Sequence, residues 1–407
     1  MTATVAHHEV ESVFETLERG FGERISPAYR QALRKATIPD RLLVSRDGPQ
    51  VVGTAASEPA RMTLPGEVVA PVAAVVGVAV LPTHRRQGRL RSMMRYQLDD
   101  LRARGEDLAV LTSSEARIYQ RFGYGPATLA STYRLEKRDL SVLVPERIDL
   151  SGMAVRFVER DEAERRFPPL LSAHQPSRSG EVSRLTLGWE DVLGTDTEEE
   201  QKDRFFVECT EAGEPVGYAI YRIGRDPGTS GRVLRLVELC ALSDPAYLAL
   251  WSYLLEVDLV GTLVTGHRPT DEPIRWLLSD PRRMVPLRTG EHTYVRLVEV
   301  AASLAARRYF AEGELTIAVA DRFCQWNTGR YHLSFGGDGT AAVERLPLEG
   351  AADLAADVSV LASCYLGGLR PSALAQIGLV EAASPRALAT ADRLFLGPVP
   401  PFSTTSF

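Results

Sequence analysis

Two groups of residues in this chain have types and spacing that suit chemistry. The first is the run Arg85, Arg86, Gln87, Gly88, Arg89, Leu90 and Arg91. A glycine turn that opens a helix presents unpaired backbone N–H groups, and these attract phosphate. Gly88 has no Cβ to crowd an approaching pyrophosphate. Arg85, Arg86 and Arg89 place guanidinium charge beside it. The second is Tyr119, a neutral phenol that could protonate a departing thiolate. Together they suit acyl transfer from a coenzyme A thioester. Taken by residue type alone, the first group also fits a basic surface loop. Tyr119 likewise fits an aromatic packed under Phe122 and Tyr124.

The elements around these residues favour the chemical reading of the turn. Residues 75–81 form a nearly all-apolar strand, expected to be buried on both faces. Leu90, Met93, Met94, Leu98 and Leu101 then recur at helical spacing, and Gly105 ends that helix. Residues 108–112 make the next strand. Tyr119 therefore lies beyond a strand's C-terminal end, where open α/β sheets hold ligands. Upstream, Val13, Phe14, Leu17 and Phe21 mark a helix. Residues 41–46 and 51–56 read as a hairpin around Asp47-Gly48, and Pro65-Gly66 marks a further turn.

A second unit begins near residue 151. Its strands, 204–209, 215–223 and 233–242, precede a helical pattern through Tyr247, Leu250, Tyr253, Leu254 and Val257. The order repeats that of the first unit, without paired arginines or a glycine between Leu242 and Tyr247. A third unit begins near residue 291, with strands at 313–319 and 329–335 and helices at 353–362, 371–377 and 385–395. The chain closes on GPVPPFSTTSF. The expected domains are thus 1–150, 151–290 and 291–407.

Composition excludes several classes. The chain has 407 residues, 44% hydrophobic and 25% charged, as in globular proteins with more than one core. A net charge of −6 supplies no global attraction for nucleic acid. Cys209, Cys240, Cys324 and Cys364 are scattered, which favours neither a zinc site nor a disulfide framework. No targeting segment or membrane-length apolar run is visible, so a cytoplasmic location is expected.

The run PTHRRQGRLRSMM…LTSSEARIYQRFGYGPAT resembles the Eis (enhanced intracellular survival) family of GNAT-superfamily N-acetyltransferases. Its turn looks like the GNAT acetyl-CoA motif [RQ]xxGx[GA]. The resemblance extends over the whole chain and implies a mixed α/β (α+β) fold. In that arrangement a catalytic GNAT domain and a degenerate one are followed by a sterol-carrier-protein-like domain. It implies that the acetyl thioester lies along Val78, Ala79 and Val80, with a freed N–H at Val78 to hold the oxyanion. It places the pyrophosphate on the backbone from Arg86 to Arg91, with Arg85 nearby and Ser114 and Glu115 as further cofactor contacts. Tyr119 becomes the general acid, and the terminal carboxylate of Phe407 the general base. Without the resemblance, Phe407 reads as a frayed end. An α-carboxylate with an ordinary pKa near ~3.5 is a weak base, so it would orient an ammonium and relay its proton through water.

Two residues depart from the family pattern. Gly77 stands where an aromatic residue often lines the amine channel, and Arg89 stands where a smaller or apolar residue is common. The implied substrates are primary amines of polycationic small molecules, aminoglycosides foremost, and the implied assembly is a homohexamer. The alternatives are acetylation of protein lysines or of one pathway metabolite, and a lipid or sterol carrier with a regulatory N-terminal half.

Overall fold

The computed structural model of the chain describes residues 2–5, 9–194, 204–225 and 231–407. Its N-terminal stretch runs through β1 (Thr2–Thr4), α1 (Val10–Phe21), α2 (Pro27–Ala36), β2 (Leu42–Asp47), β3 (Gln50–Leu64) and β4 (Val68–Val80). There follow α3 (Arg89–Ala103), β5 (Leu108–Thr112), β6 (Gly125–Pro126) and β7 (Leu129–Glu136). The central stretch holds β8 (Met153–Val158), α4 (Arg160–His174), α5 (Gly188–Leu193), β9 (Arg204–Glu211), β10 (Glu214–Arg225) and β11 (Arg232–Ala241). It continues with α6 (Asp244–Glu256), β12 (Thr262–Thr265) and β13 (Met284–Glu291). The last stretch begins with β14 (Thr293–Leu297), α7 (Val300–Ala306), β15 (Gly313–Ala320), β16 (Gly329–Phe335) and β17 (Ala341–Leu346). It ends with β18 (Leu354–Asp357), α8 (Val358–Cys364), α9 (Pro371–Ala375), β19 (Val380–Ala382) and α10 (Pro385–Phe395).

These elements form two compact units. One contains residues 1–128, 178–187 and 291–407. Its larger sheet has the order β1-β2-β3-β4-β5-β14-β6, and its smaller sheet β17-β16-β15-β18-β19. A single apolar core joins one face of the larger sheet to α7, α8, α10 and the smaller sheet, through residues such as Met62, Val110, Val295, Leu304 and Ile317. The opposite face of the larger sheet packs on α3 through Met93, Met94, Leu98 and Leu101. The other unit contains residues 129–177 and 188–290, around a sheet of order β13-β7-β12-β11-β10-β9-β8. Two strands cross the linear boundaries near 150 and 290. β7 leaves the first stretch for the second sheet, and β14 returns from the last stretch to pair with β5.

Local sequence accounts for most of these elements. Ser26 caps α2 by accepting from the Tyr29 N–H, and Gly22 closes α1 in the left-handed region. Three expectations are corrected. The hairpin partner expected at 51–56 runs on to Leu64, because its far half pairs with β4 from Val68 onward. Strand 75–81 is not buried on both faces. Val76, Gly77, Val78 and Val80 are half-buried because the neighbouring β5 has already diverged. The segment expected as a helix from residue 353 begins as strand β18, and the helix starts only at Val358, where Asp357 caps it. Among the described residues, no helix is long and apolar enough to cross a membrane. All four cysteines are buried thiols.

Candidate active site

β4 and β5 are parallel neighbours paired only at Ala73–Ala109 and Ala74–Val110. Beyond that point β4 continues through Val80 and β5 through Thr112, so a wedge opens between their C-terminal ends. A bulge in β4 lies in the wedge. Thr54 pairs with Ala79 and Ala56 with Val76, which leaves Gly77 and Val78 together opposite Ala55. Gly77 takes φ 59°, a left-handed conformation that costs a residue with a Cβ about 1–2 kcal/mol. Its carbonyl accepts from Thr54 Oγ1 at 2.7 Å. Val78 is thereby paired in neither ladder. The glycine at position 77 is thus favoured by the backbone conformation, since a Cβ there would meet only the Leu17 side chain at 3.7 Å.

The turn after β4 carries the anion-binding geometry. Gly88 is the N-cap of α3 at φ 76° and ψ 0°, with no side chain capping the helix. A left-handed residue followed by a right-handed one points successive N–H groups into one concavity, a nest for anions. A Cβ built on Gly88 would meet no protein atom within 4 Å, so the concavity is open. Arg86 also takes a positive φ, 63°, and its side chain is exposed. Arg85 and Arg89 do other work. Arg85 donates to the carbonyls of Val80 (3.3 Å) and Gly20 (3.0 Å), tying the turn to the ends of β4 and α1. Arg89 donates to the Arg46 carbonyl at 2.9 Å and pairs with Asp47 at 3.4 Å. It also donates to Gln87 Oε1 at 3.3 Å. Leu90 packs into the core under α3, and Arg91 lies 5.1 Å from the Phe323 ring centre. What the turn offers a phosphate is therefore chiefly backbone N–H groups and the Arg86 side chain.

Beyond β5, Ser113 Oγ accepts from the Glu115 N–H at 3.1 Å, and Ser114 and Glu115 are exposed. Tyr119 sits half-buried with its ring edge-on to Tyr124, 5.9 Å between centres. Burial, and secondarily the Glu115 carboxylate, push its phenol up to about 12. It is neutral at any ordinary pH and a weaker acid than a free phenol. The turn that carries Tyr119 closes at Gly123 (φ 86°), against which the guanidinium of Arg296 is stacked. Arg296 is fully buried and paired with Asp321 at 2.5 Å.

The tail ends at the same strand terminus. Thr112, the last residue of β5, donates its hydroxyl to the main-chain oxygen of Phe407 and accepts from the Phe407 N–H at 3.3 Å. Residues 178–187 hold the tail like a strap. Ser179 O accepts from the Phe402 N–H at 2.9 Å. The buried Glu181 carboxylate accepts from the Thr404 N–H (2.9 Å), the Thr405 N–H (3.3 Å) and Ser403 Oγ (3.2 Å). His292 Nε2 lies 2.8 Å from Ser406 Oγ. Phe407 is therefore no frayed end.

Residues 3–127 match the acetyltransferase (GNAT) domain family, residues 180–297 a second acetyltransferase (GNAT) domain family, and residues 300–404 the sterol carrier protein domain family. N-acetyltransferase Eis of Mycobacterium tuberculosis is 33% identical over 93% of this chain and 92% of its own. An uncharacterized N-acetyltransferase of Streptomyces coelicolor is 38% identical over 98% and 97%. The crystal structure of Eis1 from Mycobacterium abscessus superposes with a TM-score of 0.87 at 32% identity, covering both chains completely. The chain belongs to the Eis family.

As an Eis-family chain it is an acyltransferase with two GNAT domains and a sterol-carrier-like C-terminal domain, and GNAT acetyltransferases use acetyl-CoA. Its second GNAT domain repeats the frame with the working parts replaced. β11 and β12 pair from Val233–Thr262 to Leu236–Thr265 and then part, as β4 and β5 do. The buried Arg268 fills that opening. It donates to the Leu239 carbonyl at 3.1 Å and to Glu272 at 2.5 Å, and Tyr247 donates to the same carboxylate. Where α3 has an uncapped glycine, α6 has Ser243 accepting from the Ala246 N–H, followed by the acidic Asp244. Side chain replaces phosphate, and an anion would meet a like charge.

Sequence reasoning overlooked Thr112, Glu181 and His292. Nothing local marks a threonine at a strand end or an acid in a loop as the holder of a distant tail. Gly77 did carry a signal, since glycine inside an apolar strand commonly marks a bulge.

Proposed function

We propose that this protein transfers the acetyl group of acetyl-CoA to primary amines of small polycationic molecules, by direct attack in a ternary complex. Aminoglycosides, acetylated at several positions, are the substrate class the family resemblance implies. The observation that carries the reading is the open β4–β5 wedge, with the nest at Gly88 at its donor end and the terminal carboxylate of Phe407 docked on Thr112 at its acceptor side.

In this reading the amine nitrogen attacks the thioester carbonyl, the carbon–sulfur bond breaks, and Tyr119 protonates the departing sulfur. The Phe407 carboxylate takes the proton the amine releases, through water. The unpaired N–H of Val78 faces the developing oxyanion. Ser114 and Glu115 contribute at the rim, and Arg86 binds phosphate together with the backbone N–H groups from Gln87 to Arg91.

A coupled thiol-release screen of amines tests this. Acetyl-CoA-dependent turnover of aminoglycosides or polyamines is expected. Turnover confined to lysine peptides would transfer the reading to protein acetylation, and no turnover of any amine would overturn it. A sterol-carrying role has less support. The apolar void in the sterol-carrier-like domain, lined by Ile317, Leu361, Cys364 and Phe395 among others, holds about 20 Å³, close to the space one water needs. The hexamer implied by the resemblance is expected in light scattering.

A further inference from the structure

Two carboxylates flank the wedge on the same face of the larger sheet, and only one has a part in the proposed chemistry. The second is Glu58. In the β3–β4 ladder it lies opposite Ala74, and Ala74 in turn pairs with Val110. That row is the last before the strands part. Directly paired residues share a face, and Ala74 and Val110 both belong to the core against which Phe407 packs. Thr112, two residues beyond Val110, points to that face again. Glu58 thus stands on one side of the opening and the docked Phe407 carboxylate on the other.

Glu58 is half-buried, and among the described residues it has no cationic partner. Burial pushes its carboxyl up, offset only by a hydrogen bond from the Thr186 N–H. A carboxylate taken out of water without a counter-charge is costly, and two fully buried carboxylates of this unit are matched. Asp321 has Arg296, and Glu181 has several N–H donors. The strap that holds the tail through Glu181 also holds Glu58 through Thr186, so one segment sets both carboxylates. Two strand spacings of about 4.8 Å across and two residues of about 3.3 Å along place the backbones of Glu58 and Thr112 roughly 12 Å apart.

We propose that Glu58 is a specificity residue of the acceptor site, binding a second ammonium group of the substrate while the first amine is acetylated beside Phe407. This rests on the amine-acetylation reading and narrows its substrate class. The preferred acceptors are molecules carrying two or more cationic amines, spaced to span from Phe407 to Glu58, rather than single amines. A hydrogen bond between charged groups is worth about a tenfold or greater change in binding.

The test compares the wild type with Glu58→Gln, which keeps an oxygen for the Thr186 N–H while removing the charge. Probes are straight-chain terminal diamines of increasing length and the monoamines of matching length. The expected result is a KM for the best diamine raised at least tenfold in Glu58→Gln, with monoamine KM and acetyl-CoA KM within twofold. Equal effects on mono- and diamines, or none on either, would overturn the proposal. Calorimetric titration of the same diamines into the coenzyme A complex gives a readout independent of turnover. Glu58-dependent diamine binding in a protein that acetylates nothing would refute the catalytic reading and with it the specificity role, leaving Glu58 only a diamine-binding group. Diamine binding unaffected by Glu58→Gln, or absent from the wild type, would refute the proposal for Glu58.

Discussion

Replacing Glu181 with alanine should release the C-terminal tail and with it most of the activity. The Glu181 carboxylate is 2% exposed and accepts from two backbone N–H groups, those of Thr404 and Thr405. Ser403 Oγ has an alternative acceptor in the Thr405 carbonyl at 3.0 Å, so its loss is small. The two N–H groups have no such alternative. Leaving the buried Thr405 N–H unpaired costs about 1–3 kcal/mol and the half-buried Thr404 N–H about 1 kcal/mol, or roughly 2–4 kcal/mol together. Other contacts of the tail include the hydrogen bonds of Phe402, Ser406 and Phe407, each worth about 1 kcal/mol net. Burial of Phe402 adds about 2 kcal/mol. The lost term is comparable with all of these, so it removes a large share of what holds the tail docked. At about 1.4 kcal/mol per tenfold, the ratio of docked to released tail should fall at least ~30-fold in Glu181→Ala, and kcat should fall with the docked fraction. Glu181→Gln keeps one acceptor oxygen and should lose about tenfold. The assay pairs saturating thiol-release kinetics with hydrogen exchange at residues 404–407. Faster exchange with kcat within twofold of wild type would remove the terminal carboxylate from the chemistry. Reduced kcat with unchanged exchange would show that Glu181 acts by another route.

Tyr119→Phe should lower kcat by about 10²–10⁴, the range of a general acid, with acetyl-CoA affinity nearly unchanged. An undiminished kcat would reject the role. Because the phenol is held up to about 12 against an ordinary 10, it stays protonated as pH rises, so Tyr119 should produce no alkaline fall in kcat below about pH 11. Its stability contribution has the same sign: it is full below about pH 10 and is lost as pH climbs toward 12, where only the unfolded phenol ionises. That loss would be read in pH-dependent urea melts. A Cβ at Gly88 meets no protein atom within 4 Å, so Gly88→Val costs the fold chiefly its positive φ, about 1–2 kcal/mol, yet should weaken acetyl-CoA binding at least tenfold by calorimetry. Gly77→Ala should disturb the bulge, lowering kcat more than it raises the acetyl-CoA KM; an equal change in both would assign the glycine to cofactor binding alone.

The donor side of the site was the more legible in sequence, because its parts are local. A strand, a glycine turn and an amphipathic helix follow one another between residues 68 and 103, and each has its own periodicity or breaker. The directions of the Arg85 and Arg89 side chains were less legible. Charge in a turn shows that cations are present, not where they point, and here both tie the turn to neighbouring carbonyls. The acceptor side is built from long-range contacts. Thr112 and Phe407 are 295 residues apart in sequence, and Glu181 and Thr404 are 223 apart. No pattern within a window of the chain joins such pairs. The strand exchange between the two sheets was hidden for a similar reason, since β14 looks like any short strand until its partner is known. The helix expected from residue 353 shows a different failure. Residues 354–357 fit helix and strand alike, and pairing with β15 decided the matter.

The central claim is that amine acetylation in the β4–β5 wedge depends on the free carboxylate of Phe407. It is tested most directly by extending the chain with one glycine. The Phe407 carbonyl would still accept from Thr112, so the fold should hold with a urea midpoint close to wild type. The new terminus would be displaced by about 3.8 Å, with an amide where the base had been. The predicted result is a kcat/KM for amine acetylation lower by about 10²–10⁴ at unchanged acetyl-CoA affinity. An extended chain, its terminus verified by mass, that acetylates amines within twofold of wild type would contradict the account.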